Sequence, residues 1–394
     1  VTKLHFSYKD VFRALRLGFS AKKIWMMSLG LLVGLGCYSL LTYVAYLVSG
    51  ADLLLVWQNF RLLPFPLPDY YVFPWYSWVI YAFGVLLLLC AFLVTGTAVS
   101  KVAYEGLRGD EFFEAREAFR FAFRNFAGIL VSPVLILAFV ALLVAGGLVI
   151  SLLGMIPFFG ELLMGLLAIF AFFAALFIVY LLTVFVATLA MAPSVVGSAR
   201  ADTFDTLFEV FSCVNEQPGR LVWYTGTVAA LAKFGSLALA VATTLAGRVG
   251  YAVLGAFAGT KLADMFANAG FYFKIALPDW WPAMLQQWFA WEVNFLGLPQ
   301  VLLPGDYLSV SWSSDVASLL LGLCFYAVAL MVVSYGFTVW FSGTTLTYCV
   351  LAQKKDDKNI LEIPEDEEEL IEPVVKPEGV EPPAPAGETT APNT

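Results

Sequence analysis

Six stretches of this chain are apolar for long enough to cross a lipid bilayer, and nothing else in the sequence restricts the fold as strongly. A hydrocarbon core about 30 Å thick is crossed by about 20 helical residues. The runs at 24–49, 77–100, 129–154, 161–192, 221–247 and 316–352 all reach that length. The expected architecture is therefore all-α, a polytopic transmembrane helical bundle of about six spans occupying 1–353. Composition agrees: 60% of residues are hydrophobic and 13% charged, against about 45–50% and about 25% in soluble domains. Two spans are overlong. At 1.5 Å per residue, 161–192 and 316–352 would reach about 48 and about 55 Å, so they must tilt, protrude or break. The Ser342–Gly343 step is the candidate break.

Lys and Arg set the orientation, because cytoplasmic loops retain them. Lys3, Lys9, Arg13, Arg16, Lys22 and Lys23 precede the first span. Lys101, Arg108, Arg116, Arg120 and Arg124 separate the second from the third, and Lys354, Lys355 and Lys358 follow the sixth. On the other side, 50–76 holds only Arg61, and 155–160 has no charge. Both termini are expected in the cytoplasm.

A shared device precedes spans one, three and five. Segments 7–23, 109–126 and 202–217 read as short amphipathic helices, giving three repeats of amphipathic helix plus helical hairpin. In the second, Ala115, Ala118, Phe119, Ala122, Phe123 and Phe126 fall on one helical face. Phe12, Leu15 and Phe19 mark the stripe of the first, and Phe204, Leu207, Phe208 and Phe211 that of the third. Asp110 and Asp202 stand where N-caps are expected. Lys9, Arg13 and Arg16, with Arg116, Arg120 and Arg124, are candidate contacts for lipid headgroups, since each basic group near an anionic leaflet contributes about 1 kcal/mol. The third helix carries Asp202, Asp205 and Glu209 and is expected to pack on protein, with the basic helices as candidate partners. Gly30/Gly34 and Gly146/Gly147 suit close helix packing.

The rare residues exclude much chemistry. His5 is the sole histidine, and Cys37, Cys90, Cys213, Cys324 and Cys349 form no CxxC pair. No metal site, catalytic residue, cofactor or structural disulfide is expected from so few ligands and acid–base groups. Lys233 is the one charge deep within a span, and intramembrane charges usually face a bundle interior or a wet cavity. Outside the spans, 50–76 combines helix-breaking Pro64, Pro66, Pro68 and Pro74 with belt aromatics Tyr70, Tyr71, Trp75, Tyr76 and Trp78. The insertion 248–315 is Trp-rich (Trp280, Trp281, Trp288, Trp291 and Trp312). Its apolar start at 249–259 either continues the fifth helix or lies on the membrane surface. Residues 1–358 carry 21 Lys/Arg against 20 Asp/Glu, whereas 359–394 carry one Lys and ten acids. The tail, 354–394, is expected to be a disordered, acidic, Pro-rich cytoplasmic segment. No nucleic-acid partner is expected.

The segments GDEFFEAREAFRFAFRNF and PSVVGSARADTFDTLFEVFSCVNEQPGRLVWY, within about 100–220, resemble a pattern in uncharacterised bacterial polytopic membrane proteins. These are similar to the membrane domain found beside glycerophosphodiester phosphodiesterases and to YIP1-like families. The resemblance implies a bacterial inner-membrane setting and carries over no catalytic residue. The expected role is non-enzymatic, a scaffold or lipid-associating factor. Its partners would be membrane lipids and a protein bound through the acidic tail or the Trp-rich cap. The alternative is a transporter or permease with a cavity around Lys233.

Overall fold

A computed structural model of the chain describes residues 4–66, 73–110, 112–199, 201–273, 282–287, 311–356 and 359–362. Pro68, Tyr70, Tyr71, Trp280, Trp281, Trp288, Trp291, Lys358 and the acidic tail after Glu362 lie outside the described residues.

Among the described residues all regular structure is helical. In chain order the helices are α1 (Tyr8–Val11), α2 (Ala14–Gly18), α3 (Ala21–Val48), α4 (Leu53–Phe60), α5 (Trp75–Arg108) and α6 (Ala115–Arg124). There follow α7 (Phe126–Leu153), α8 (Phe159–Ala199), α9 (Thr203–Glu216), α10 (Pro218–Ala258), α11 (Thr260–Tyr272) and α12 (Trp312–Asp356). Helices α3, α5, α7, α8, α10 and α12 are long and apolar enough to cross a membrane. Helix α10 carries the fifth apolar run on through Ala258, which is one of the two courses open to 249–259.

Helix α12 runs unbroken through Ser342–Gly343, contrary to the expected break. The glycine serves packing instead. A Cβ there would lie 2.5 Å from Cγ1 of Val228 and 3.0 Å from Cβ of Ala14, so only a bare backbone fits between α10 and α2.

Three helix pairs form the body: α3 with α5, α7 with α8, and α10 with α12. Their second members, α5, α8 and α12, also pack on one another. Each short helix before a pair rests on the second member of a different pair: α6 on α5, α9 on α8, and α2 on α12. Small and hydroxyl side chains permit these crossings, as expected where lipid supplies no hydrophobic drive between helices. Gly96 faces the Phe341 ring, Gly30 faces Thr95, and a Cβ on Gly197 would lie 2.9 Å from Cβ of Ser100. Where α5, α8 and α12 meet, Ser194 Oγ lies 2.7 Å from Thr344 Oγ1 and 3.4 Å from Ser100 Oγ, and all three residues are fully buried. Gly34 also packs on α5, whereas nothing approaches Gly146 or Gly147.

The short helices exist where the sequence places them, and their faces match expectation only in part: Ala118, Ala122, Phe119, Leu207 and Phe211 of the expected stripes pack on the core, and other stripe residues face outward. The first is split into α1 and α2. Buried there are Val11, Ala14 and Gly18, while the anticipated stripe of Phe12, Leu15 and Phe19 points outward. Helix α6 buries Ala118 and Ala122 and exposes Phe123, and Phe126, the first residue of α7, is exposed as well. Helix α9 buries Thr206, Val210 and Cys213 and exposes Phe204 and Phe208. The reason is physical: in a bilayer the surroundings are as apolar as the core, so small residues go where backbones must approach and rings can face outward. The caps differ as well. Asp110 Oδ1 accepts the Phe112 N–H at 3.0 Å, ahead of a helix that starts only at Ala115. Asp202 occupies the N-cap position of α9 without a side-chain capping bond.

At the far end, the irregular stretch after α4 is sewn to α3 by side-chain hydroxyls. Tyr38 donates to the Pro64 carbonyl at 2.8 Å, Ser39 to Leu62 at 2.6 Å, Tyr46 to Phe65 at 2.7 Å, and Tyr43 to Arg61. Non-helical backbone near lipid needs such internal partners. Buried Arg61 donates from Nε to the Phe271 carbonyl at 3.0 Å, and its guanidinium lies 3.8 Å from the Phe271 ring centre. It thereby ties this stretch to α11.

The crossing of α2 over α12 gives a direct test. A Cβ on Gly18 would lie 2.6 Å from the Val339 Cα, whereas Gly36 has open space beside it. Gly18→Ala is expected to cost about 1–3 kcal/mol by overpacking, and Gly36→Ala to leave stability unchanged or slightly raised. Melting of the two variants in detergent checks this, and equal melting temperatures would contradict the crossing.

Candidate functional site

The end of the bundle that carries α1, α2 and the last turns of α5 and α12 holds the densest charge. Asp10 organises the entry. Its buried carboxylate accepts the His5 N–H at 2.9 Å and the Ser7 N–H at 3.2 Å, and it pairs with Arg13 at 3.4 Å. This turn fixes α1 and α2 so that Arg13 and Arg16 face the start of α3. Lys22 and Lys23 lie there, side by side in sequence but held differently. Lys22 Nζ donates to the Phe113 carbonyl at 2.9 Å, linking α3 to the stretch before α6. Lys23 is buried and donates to the Leu17 carbonyl at the end of α2.

These four basic residues border one cavity of about 700 Å³. Leu4, Leu17, Val102, Leu107 and Leu346 supply its apolar lining, and Asp110 is its one acid among the described residues. Gly106 on α5 opens the wall, because no side chain stands at that position. Arg16 is exposed, and among the described residues no hydrogen-bond or ion-pair partner accompanies it. The cavity thus combines cationic donors, able to bind a phosphate or carboxylate, with a greasy floor.

Beside it stands a pair that spacing alone could have flagged. Lys101 Nζ lies 2.6 Å from Glu105 Oε1, one helical turn along α5, with Arg108 adding a 3.7 Å contact to the same carboxylate. Lys101 is nearly fully buried, 4.9 Å from the Phe121 ring centre and 5.1 Å from that of Tyr104. The sequence reading placed Lys101 in a loop after the second span. The helix instead continues to Arg108 and draws the lysine into the protein.

The remaining expected site residues are dispersed. Arg116, Arg120 and Arg124 are exposed on α6, outside the cavity, beside exposed Phe123. Lys9 is exposed on α1 and does not border the cavity either. The acidic α9 does pack on protein, yet its basic partner is not another short helix. Glu209 accepts from Lys355, at the end of α12, at 3.2 Å through both oxygens. Lys233 is half-buried on α10, and its carbonyl accepts from Ser236 Oγ at 2.9 Å. Two grooves run along α10, one of about 700 Å³ beside Trp223 and one of about 360 Å³ between Phe19, Phe234 and Tyr335, and Lys233 borders neither.

Lys22, Lys23 and Asp110 escaped the sequence reading as site residues because nothing local marks them. Positions 13 and 110 are brought together only by tertiary packing, with α2 and α5 both resting on α12. No protein-family model, curated protein or solved structure matches this chain.

The buried pair on α5 has a measurable consequence. Lys101→Met leaves Glu105 with only the longer Arg108 contact and is expected to cost about 3 kcal/mol. Adding Glu105→Gln should restore part of that loss. A double-mutant cycle on melting in detergent reads the coupling directly, and strictly additive losses would show that the pair is not an energetic unit.

Proposed function

We propose that the protein is a non-enzymatic lipid-associating membrane protein that holds an anionic headgroup in the basic cavity beside α2. The observation that carries this reading is the grouping of Arg13, Arg16, Lys22 and Lys23 around about 700 Å³ of space with a leucine floor. A phospholipid pairs an anionic phosphate with apolar chains, and a cavity of basic rim and greasy wall complements both. The outward Arg and Phe of α6 add to the same reading, because an interfacial helix sets cations at phosphate level and rings at the acyl boundary.

The basic end is then the cytoplasmic one, with both termini on that side, and the setting is a bacterial inner membrane. The three helix pairs, each preceded by a short helix, are three structural repeats. Their arrangement around α5, α8 and α12 supports this, since each short helix contacts the second member of a different pair. In this reading the protein acts as a scaffold whose first short helix is specialised for the headgroup and whose third, through Glu209 and Lys355, is specialised for holding the bundle together.

The test is lipid retention. The chain is purified in native nanodiscs from membranes containing phosphatidylglycerol and phosphatidylethanolamine, and bound lipid is weighed by native mass spectrometry. At about 1 kcal/mol per basic group, Arg13→Gln/Arg16→Gln is expected to lower retained phosphatidylglycerol by about tenfold or more. Arg116→Gln/Arg120→Gln/Arg124→Gln should weaken only the diffuse, salt-sensitive enrichment of anionic lipid around the protein. Unchanged retention in Arg13→Gln/Arg16→Gln would remove the cavity from this role.

A further inference from the structure

The chain returns to the basic cavity after its last long helix. Residues 359–362 form a tight turn in which Asn359 Oδ1 accepts the Leu361 N–H at 3.2 Å and Asn359 Nδ2 donates to Glu362 Oε1 at 2.8 Å. The turn is pinned to α5, where the Tyr104 hydroxyl donates to the Ile360 carbonyl at 2.5 Å. Leu361 is buried in a cluster with Leu107 and Leu346, against which Leu4 and Leu17 also pack. Those four leucines are the ones that line the cavity. The turn therefore sits on the cavity's own wall.

The sequence that follows is Glu365-Asp366-Glu367-Glu368-Glu369, five consecutive acids. Glu365 stands four positions after Leu361, a reach of at most about 14 Å, and Glu369 eight positions after it, at most about 28 Å. We infer that this acidic run of the chain's own tail docks in the basic cavity and competes there with the anionic headgroup. Two observations meet in this: the cavity is rimmed by Arg13, Arg16, Lys22 and Lys23, with Asp110 its one acid among the described residues, and the chain passes from the cavity's leucine wall into the tail. A short tether raises the effective concentration of a docked segment into the millimolar range, and five clustered acids offer the rim more negative charge than a single phosphate. The tail then acts as a built-in regulator: displacing or neutralising it opens the site to lipid. The competition rests on the proposed lipid reading of the cavity, while the docking itself rests on charge and tether alone.

The experiment uses the full chain. In neutral maltoside micelles free of anionic lipid, a carbodiimide joins carboxylates to lysines that touch, and the cross-linked peptides are identified by mass spectrometry. Cross-links are expected from Lys22 or Lys23 to residues 365–369, and far fewer to Glu378, Glu381 and Glu388 farther along the tail. In nanodiscs, Glu365→Gln/Asp366→Asn/Glu367→Gln/Glu368→Gln/Glu369→Gln should retain at least threefold more phosphatidylglycerol than the unaltered chain. Absence of those cross-links, or an even spread over all the tail acids, overturns the docking, and unchanged retention overturns the competition. Failure of the lipid reading is separable: Arg13→Gln/Arg16→Gln placed in the neutral-tail chain would then leave retention unaltered, while the cross-links still decide whether the tail docks.

Discussion

A helix bundle in lipid is held by close approach and by satisfied polar groups, because hydrocarbon gives apolar side chains no reason to prefer one another over the bilayer. The crossing of α5, α8 and α12 meets that constraint with residues that would be poor core formers in water. Gly96 and Gly197 let helices touch, and Ser100, Ser194 and Thr344 meet across them. The same rule accounts for the other end, where tyrosine and serine hydroxyls of α3 take up the carbonyls of residues 61–65 that no helix can satisfy. Arg61 belongs to that economy of partners. Its backbone sits at a φ of +55°, a region an L-residue adopts at a cost, and its guanidinium secures the segment to α11 in compensation.

Placing small residues inward leaves the rings outward, and this determines how far the faces could be read in advance. The six long helices were legible because a run of 20 apolar residues has one physical meaning whatever its neighbours do. The short helices were legible as helices for a similar reason, since their charges and rings alternate with a 3.6-residue period. Which side of them is buried was legible only in part. An apolar stripe is assigned inward by the logic of water, and for Phe12, Phe123 and Phe204 that logic does not apply, as all three face outward. Ala118 and Ala122, both on the expected stripe of α6, and Gly18, which no expected stripe includes, make the contacts.

The charged end shows a second kind of illegibility. Arg13 and Arg16 stood out by position, yet their companions Lys22, Lys23 and Asp110 became so only through tertiary packing. Lys101 and Glu105 carried their signal locally in an i, i+4 spacing, but it was masked by the assumption that a span stops at its first charge. Helices outlast their apolar runs here: α5 continues eight residues past the expected limit at position 100, and α12 ends in Lys354 and Lys355. Charge on these extensions is compensated within the protein, by Glu105 at one and by Glu209 at the other.

Carboxylates and carbonyls hold the cations at this end in different ways. Lys101 and Arg108 share Glu105, Lys355 has Glu209, and Arg13 has Asp10, so these four stand against a carboxylate. Lys22 and Lys23 each donate to a carbonyl, which orients the ammonium. Arg16 has neither kind of partner among the described residues. Arg13, Arg16, Lys22 and Lys23 together bring four cations to one concave surface, where low-dielectric leucine walls strengthen their field. An anion reaching this end of the bundle is drawn to that surface, whether it arrives on a lipid or on the acidic run that begins three residues beyond Glu362.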